Sequence, residues 1–231
     1  MEIPESLKNT LENTSLSEGL AFLSKEFGKK AVFSSSFGQE DQVIADAIFK
    51  NNLAIKVFTL DTGRLFQETY ELMDTTRVRY KADFETYFPD NQSVEKLVNE
   101  KGFNSFYNSV ADRKECCFIR KIEPLTRALA GAEIWITGLR AEQSENRADM
   151  EMLEWDEKFQ VIKYNPLIHW TYDEVLAYIK INKVPDNSLH RKGFISIGCA
   201  ACTRAITPDE HPRAGRWWWE ASHKECGLHA S

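Results

Sequence analysis

The sequence predicts an α/β protein with a mostly parallel, twisted sheet and helices on both faces. The first observation is that short runs rich in β-branched and aromatic residues alternate with longer amphipathic runs along most of the 231 residues. Alternation of this kind is typical of a parallel sheet covered on both faces. The second is that three predicted strands end in serine, aspartate or glycine. In parallel sheets ligands bind beyond the carboxyl ends of the strands, so this pattern favours a site at one edge.

The sequence patterns also predict the individual elements. An amphipathic lead-in up to about Phe27 packs on the core, and Thr171 with Glu174 forms a capping box that opens a helix ending near Asn182. The chain beyond that helix is mostly loop, and 1–231 is expected to form a single domain with 205–231 as its C-terminal segment. The other predicted elements are strands at 31–35, 55–60, 83–87 and 134–139, helices at 42–49, 64–80 and 94–101, and a hairpin within 151–164.

The first strand runs into the turn Ser36-Phe-Gly-Gln-Glu-Asp41 and then a helix. This layout points backbone N–H groups and a helix N-terminus at an anion, although such a turn also occurs simply as a helix N-cap. We expect the three strand ends to converge on one small ligand. They carry Ser35, Ser36 and Gly38; Leu60, Asp61 and Gly63; and Gly138 and Arg140.

Composition and charge exclude several classes of protein. Hydrophobic residues make up 42% of the chain, charged residues 28%, and the formal net charge is −6, which argues against a general nucleic-acid binder. No apolar run approaches the roughly 20 residues of a membrane span, and the N-terminal residues do not resemble a signal peptide. We therefore expect a soluble, cytoplasmic protein with no nucleic-acid or membrane partner.

Four of the five cysteines form two pairs, Cys116-Cys117 and Cys199-Ala-Ala-Cys202. A Cys-x-x-Cys pair aims both sulfurs at one point, which suits zinc or an iron–sulfur cluster. Adjacent cysteines are unusual for zinc but can serve two corners of a compact cluster. Two alternatives stay open: four small buried apolar residues, and a redox pair without a metal.

The fifth cysteine, Cys226, lies close to the C-terminus beside Lys224 and His229. Nearby cations lower the pKa of a thiol and increase the fraction of nucleophilic thiolate, although an incidental surface cysteine would look the same. Arginine side chains fit phosphate and sulfate oxygens in two-point geometry. The candidate cations, each of which is otherwise a solvated surface charge, are Lys121, Arg140, Arg147, Arg213, Arg216 and Lys224.

Taken together, these motifs resemble the assimilatory adenylyl-sulfate reductases, within the larger family of phosphoadenylyl-sulfate reductases. The resemblance covers about 31–229. It is carried by Ser34-Ser-Ser-Phe-Gly-Gln-Glu-Asp41, Leu60-Asp-Thr-Gly-Arg64, Lys114-Glu-Cys-Cys117, Arg120-Lys-Ile-Glu-Pro-Leu125, Ile136-Thr-Gly-Leu-Arg140, Ser196-Ile-Gly-Cys-Ala-Ala-Cys-Thr-Arg204, Gly215-Arg-Trp-Trp-Trp-Glu220 and Lys224-Glu-Cys-Gly-Leu-His229.

The resemblance implies a role for each matching residue and a fold of the PP-loop, adenine-nucleotide alpha-hydrolase-like type. Cys226 is implied as the nucleophile. One departure from the family pattern is in the first loop, at Phe37 and Gln39, where relatives often have smaller residues. The four paired cysteines, Cys116, Cys117, Cys199 and Cys202, are implied as ligands of a 4Fe-4S cluster. The implied substrate contacts are Ser35, Gly38, Leu60 and Gly138 for adenosine and Lys121, Arg147, Arg213, Arg216 and His229 for phosphosulfate.

The family chemistry implied is reduction of adenosine 5′-phosphosulfate (APS) to sulfite and AMP through an S-sulfocysteine on Cys226. If four thiols hold a cluster, none is left to resolve the adduct, so a thioredoxin or a glutaredoxin-like donor is expected. A homo-oligomer is possible. The alternatives are a reductase of the 3′-phosphorylated nucleotide (PAPS) or of both, a tRNA-thiolating ATP-pyrophosphatase relative, and a non-enzymatic, metal-stapled redox module.

Overall fold

A computed structural model of the chain describes residues 3–220. Cys226, His229 and the rest of the stretch beyond Glu220 lie outside these residues, so the roles predicted for them stay predictions. None of the helices in the described part of the chain is both long and apolar enough to cross a membrane.

The secondary structure follows the predicted alternation. The strands are β1 Ala31–Ser34, β2 Lys56–Leu60, β3 Glu85–Tyr87, β4 Ile134–Ile136, β5 Leu153–Asp156 and β6 Val161–Tyr164. The α-helices are α1 Glu5–Glu12, α2 Leu16–Phe27, α3 Gln39–Lys50, α4 Gln67–Tyr80, α5 Asn91–Lys101, α6 Val110–Cys117, α7 Glu123–Ala128 and α8 Tyr172–Asn182. A π-helix, Phe118–Ile122, joins α6 to α7, and 3₁₀ turns occupy Gly28–Lys30, Ser105–Tyr107, Ala141–Gln143, Glu145–Arg147, Ser188–Lys192 and Ala200–Cys202.

The strands described within 3–220 form one six-stranded sheet in the order β3-β2-β1-β4-β6-β5. Every neighbouring pair is parallel except β5 and β6, which form the predicted hairpin. The chain builds outward from β1 to β3 and then returns to place β4 on the other side of β1. This reversal between β1 and β4 is a topological switch point, where open α/β sheets bind their ligands.

Helices cover both faces of the sheet, as predicted. Along β1, Ala31 and Phe33 pack with α1, α2, α3 and α8, whereas Val32 packs on the opposite face with Leu125 of α7. The same two-residue alternation runs through β4, where Trp135 faces α7. Because both faces are buried, these central strands are apolar except for Ser34 at the end of β1.

The sequence patterns do not predict the helical stretch from α6 to α7. Two features of the local sequence hide it: the run Cys116-Cys117-Phe118 has low helix propensity, and Pro124 usually interrupts a helix. Pro124 falls in the first turn of α7, the part of a helix in which proline is best tolerated. The insertion of a π-helix lets one continuous backbone carry the vicinal cysteines and then turn toward the sheet.

Candidate active site

The turn after β1 is held by its own side chains. Asp41 Oδ2 accepts hydrogen bonds from both Ser36 N and Ser36 Oγ, each at 2.6 Å. Ser35 Oγ accepts one from Phe37 N at 3.2 Å, and Gly38 is the N-cap of α3 without a side-chain cap. The predicted turn and helix N-terminus therefore form, with the helix beginning three residues earlier than expected.

Phe37 faces away from the cavity. Its backbone has a positive φ of 60°, its side chain is only 3% exposed, and it packs with Leu72, Met73 and Phe84. The departure from the family pattern at this position is therefore a matter of packing behind the loop. Gln39, the other departure, does line the cavity, and its Oε1 accepts a hydrogen bond from Tyr172 OH at 2.7 Å.

The end of β4 approaches this turn very closely at Gly138. A Cβ added at this glycine would overlap Asp41 Oδ1, so only glycine fits where the end of β4 meets the first turn of α3. Burial raises the pKa of Asp41 to about 6, although the hydrogen bonds that the carboxylate accepts from Ser36 act to lower it. The second strand end, after Leu60, is closed by Asp61, whose Oδ1 accepts hydrogen bonds from Gly63 N at 2.7 Å and Tyr70 OH at 2.9 Å.

The three strand ends open into one cavity of about 660 Å³, a volume typical of small-molecule and cofactor sites. This convergence was predicted, and the cavity gathers all the implied substrate contacts that lie within the described residues. They are Ser35, Gly38, Leu60, Lys121, Gly138, Arg147, Arg213 and Arg216. Their juxtaposition is observed, whereas their roles toward a substrate stay predictions.

The cations of this cavity, which we call the nucleotide cavity, differ in how they are held. Arg140 is neutralised by Glu40 at 2.9 Å and Glu142 at 3.1 Å. Arg216 is 7% exposed, and its Nε has no hydrogen-bond partner among the described residues. Its Nη1 donates to the Ile197 carbonyl at 3.3 Å. A buried guanidinium with an unused donor is well suited to bind an anion.

The four paired cysteines line a second, much smaller cavity of about 20 Å³, the cysteine cavity. Cys116 and Cys117 end α6, and Cys199 and Cys202 bracket a 3₁₀ turn. All four are free of disulfides. The 3₁₀ turn is tied to its surroundings by backbone bonds, from Ala200 N to the Arg64 carbonyl at 2.8 Å and from Trp217 N to the Cys202 carbonyl at 3.2 Å.

Cations and thiols surround this cavity. Its lining adds Arg64, Arg113, Arg120 and Lys121 to the cysteines and Phe106. Sequence reasoning missed the three arginines, although the spacing held part of the signal. Arg113 precedes Cys116 by three residues and Arg120 follows it by four, and such pairs share a helix face. Arg64 carries no local signal because it reaches the cysteines only through the tertiary fold.

The cations act unequally on the thiols. Burial alone would raise the pKa of Cys199, but the charges of Lys121, Arg216 and Arg120 and a 3.3 Å hydrogen bond with Thr62 together outweigh burial, so its pKa is lowered. Burial raises the pKa of Cys116. Burial and the neighbouring Cys199 raise the pKa of Cys202 to about 12. Lys121 lines both cavities and so connects them electrostatically.

The donor set has the chemistry of an iron–sulfur site: four thiols that form no disulfide face one cavity inside a cationic shell, which favours an anionic thiolate-bound group. As the side chains stand, no group of three or more His, Cys, Asp or Glu residues within 3–220 is arranged to hold a metal ion. A change of χ1 rotamer at a cysteine alters that arrangement without moving the backbone. Fit therefore rests on donor type and charge.

Most of the chain is similar to known proteins. The phosphoadenosine phosphosulfate reductase domain model matches residues 30–205. Adenosine 5′-phosphosulfate reductase of Allochromatium vinosum is 50% identical over 199 residues, covering 86% of this chain and 78% of its own. The protein of the same name from Burkholderia cepacia is 50% identical over 201 residues, covering 87% and 80%.

Solved structures show the same fold. A phosphoadenylyl-sulfate (PAPS) reductase from Candida auris, in a phosphate complex, superposes with a TM-score of 0.72 at 28% identity and covers 87% of this chain and 97% of its own. The Candida glabrata FMN adenylyltransferase, at 15% identity and a TM-score of 0.55 over 84% of this chain and 62% of its own, shares the fold alone. The chain therefore belongs to the phosphoadenosine phosphosulfate reductase family, a family of enzymes.

Proposed function

We propose that this protein reduces APS to sulfite and AMP, using Cys226 as the nucleophile and a thioredoxin-type dithiol as the electron donor. The observation that carries the proposal is the convergence of eight implied substrate contacts on one cavity that shares Lys121 with the cysteine cavity. The names of the relatives above support APS as the substrate.

In the first step the Cys226 thiolate attacks the sulfonate sulfur of APS. A sulfur–sulfur bond forms, the bond from sulfur to the phosphate oxygen breaks, and AMP leaves with the electron pair. Lys121, Arg147, Arg213 and Arg216 would neutralise the charge that develops on the phosphate and sulfonate oxygens.

In the second step one thiolate of the donor attacks Sγ of the S-sulfocysteine. Sulfite leaves with the electron pair of the sulfur–sulfur bond, and a mixed disulfide remains. The second thiol of the donor then displaces Cys226 as a thiolate, so the donor ends as a disulfide and supplies both electrons.

The four cysteines would hold a 4Fe-4S cluster, which we propose supplies a local electrostatic field. The residue through which that field would reach the nucleotide cavity is Lys121, because it lines both cavities. In this role Lys121 orients the anionic substrate, and the electrons come from the dithiol. Sulfite release driven by a one-electron reductant without any thiol would contradict this assignment.

The first experiment is intact mass spectrometry of anaerobically prepared protein mixed with APS and no thiol. A gain of one sulfonate group, absent from Cys226→Ser and removed by reduced thioredoxin, supports nucleophile, substrate and donor together. No gain in protein that retains its iron would contradict APS as the substrate.

PAPS is the second candidate substrate, because the Candida auris relative carries that name at 28% identity. Comparing kcat/KM for the two nucleotides decides between them. We expect APS to be preferred, since the relatives from Allochromatium vinosum and Burkholderia cepacia, each 50% identical, carry the name adenosine 5′-phosphosulfate reductase. A higher kcat/KM for PAPS would reverse the assignment.

A further inference from the structure

The last described residue, Glu220, is joined to α6 by a buried ion pair. Arg113 Nε donates to Glu220 Oε1 at 2.5 Å, and Arg113 Nη2 donates to Glu220 Oε2 at 3.0 Å. The two side chains are 2% and 5% exposed. Such fork-to-fork geometry fixes direction as well as distance, because both oxygens and two nitrogens must align.

Arg113 also contacts both structures that the pair connects. Its guanidinium carbon lies 4.6 Å from the ring centroid of Trp217, and it lines the cysteine cavity one helical turn before Cys116 and Cys117. The residue therefore holds the end of the described chain against the helix that carries two of the implied cluster ligands.

The backbone leading to Glu220 is held on the cysteine side as well. Trp217 N donates to the Cys202 carbonyl at 3.2 Å, and Glu220 N donates to the Trp217 carbonyl at 2.9 Å. Thr203 and Arg216 form an isolated antiparallel bridge. Among the described residues, the Arg113 side chain is therefore a contact from α6 that holds Glu220. It acts alongside the packing of Trp219 on Phe106 and Tyr107, at ring-centroid distances of 6.2 Å and 4.4 Å.

Cys226 follows Glu220 by six residues. Six residues span at most about 20 Å, so the position of Glu220 limits the volume that the Cys226 thiol can reach. Moving Glu220 by a few ångströms displaces that whole volume relative to the nucleotide cavity. A nucleophile must approach its target to about 3–3.5 Å to react, which makes the anchor point important for the rate.

We propose that Arg113 is a positioning residue for Cys226. By holding Glu220 against α6, it determines the point from which the segment that carries the nucleophile begins. The inference rests on the proposed function of Cys226. It also links the cysteine cavity to the reaction, since a shift of α6 would move Glu220 and with it the start of the segment that carries Cys226.

The test uses Glu220→Gln, which keeps the shape and removes the charge, and Arg113→Lys, which keeps the charge and removes the fork. The matched control is Glu123→Gln. Glu123 and Arg127 form the same two-point pair, at 2.7 Å and 3.1 Å, but on the exposed face of α7. Each variant is prepared anaerobically and its bound iron is measured.

We expect single-turnover sulfonation of Cys226 by APS to fall at least about 10-fold in both test variants and to stay unchanged in the control. The Kd for AMP, the bound iron and the alkylation rate of Cys226 by iodoacetamide should each stay within about twofold. Hydrogen exchange of a peptide containing Trp217 to Glu220 should speed up at least about 10-fold in Glu220→Gln and Arg113→Lys alone.

Two results would overturn the proposal: sulfonation equal to that of the control, or a parallel loss of AMP affinity, iron and sulfonation, which would make the pair merely structural. A wild-type protein that forms no adduct with APS would instead contradict the proposed function. In that case the hydrogen-exchange comparison still decides whether Arg113 holds the segment.

Discussion

The two cavities are built in different ways, although they share Lys121. The nucleotide cavity lies at the ends of β1, β2 and β4, where hydrogen bonds between strands fix the backbone. The cysteine cavity lies between α6 and the 3₁₀ turn at Ala200–Cys202. These two elements meet by packing, and isolated backbone hydrogen bonds tie the turn to Arg64 and Trp217. The first site depends on sheet register, which many residues determine together. The second depends on a few tertiary contacts and is the easier one to disrupt.

Their charges also differ. The nucleotide cavity contains carboxylates, including Glu40 and Glu142 beside Arg140. Among the described residues, the cysteine cavity is lined by cations, thiols and one aromatic ring, without a carboxylate. Once the four cysteine thiols are deprotonated, a group that they bind is anionic, and the surrounding cations favour such a group. If the two cavities are independent in construction, substitutions should separate their properties.

Cys202→Ser is expected to separate the properties of the two cavities most strongly. Changing a residue that merely supports a metal ligand typically costs 10–100-fold in metal affinity, so losing a ligand should lower iron affinity by more than about 100-fold. Iron content and Cys226 sulfonation should fall together. The Kd for AMP should change by less than about threefold because the sheet edge is intact. Full iron content in this variant would remove Cys202 from the ligand set.

Arg216→Ala is expected to have the next largest effect. Arg216 lines the nucleotide cavity, and its buried Nε has no hydrogen-bond partner within residues 3–220. Its loss should therefore slow sulfonation of Cys226 by about 10²-fold, as for lost oxyanion donors. Iron content should be retained. The control is Arg191→Ala, at an exposed position paired only at 3.4 Å with Asp186. An unchanged rate of adduct formation would remove Arg216 from the anion site.

Asp41→Asn tests the nucleotide cavity through pH. The pKa of Asp41 is about 6 in the folded protein against 3.8 as the reference value. The folded state therefore binds more protons between these values, and stability falls as pH rises from about 4 to 6. The shift corresponds to about 3 kcal/mol at most, and Asp41→Asn should remove most of that loss.

The measurement is urea denaturation at pH 4 and pH 7 for wild type, Asp41→Asn and the exposed control Asp74→Asn. The loss of unfolding free energy between the two pH values should shrink by about 2 kcal/mol in Asp41→Asn only. Equal losses in all three proteins would show that Asp41 does not titrate in this range.

Gly138→Ala should have the smallest effect, and only on the nucleotide cavity. The added Cβ overlaps the Asp41 carboxylate, and overpacking of this kind typically costs about 1–3 kcal/mol. Denaturant midpoints should fall accordingly while iron content is retained. Because the overlap is with Asp41, the double variant with Asp41→Ala should recover part of the loss. A single variant as stable as wild type would mean that the end of β4 and the first turn of α3 can separate freely.

The sequence by itself determined the parallel α/β architecture, the β5–β6 hairpin and the capping box at Thr171. It also predicted which strand ends meet. These features are local: apolar periodicity identifies strands and helices, and parallel strands necessarily bring their carboxyl ends to one edge. The edge residues Ser35, Leu60 and Gly138 could therefore be assigned to one cavity from their places in the sequence alone.

Only the tertiary structure decided what surrounds the cysteines and what holds Glu220, the last residue that the structure describes, in place. Arg64 and Arg113 reach the cysteine cavity from separate elements, and Arg113 meets Glu220 across 107 positions of sequence. Phe37 turns away from the cavity because a pocket formed by α4 and Phe84 accepts its ring. No periodicity records such contacts, since they arise from how completed elements pack rather than from the spacing of residues within them.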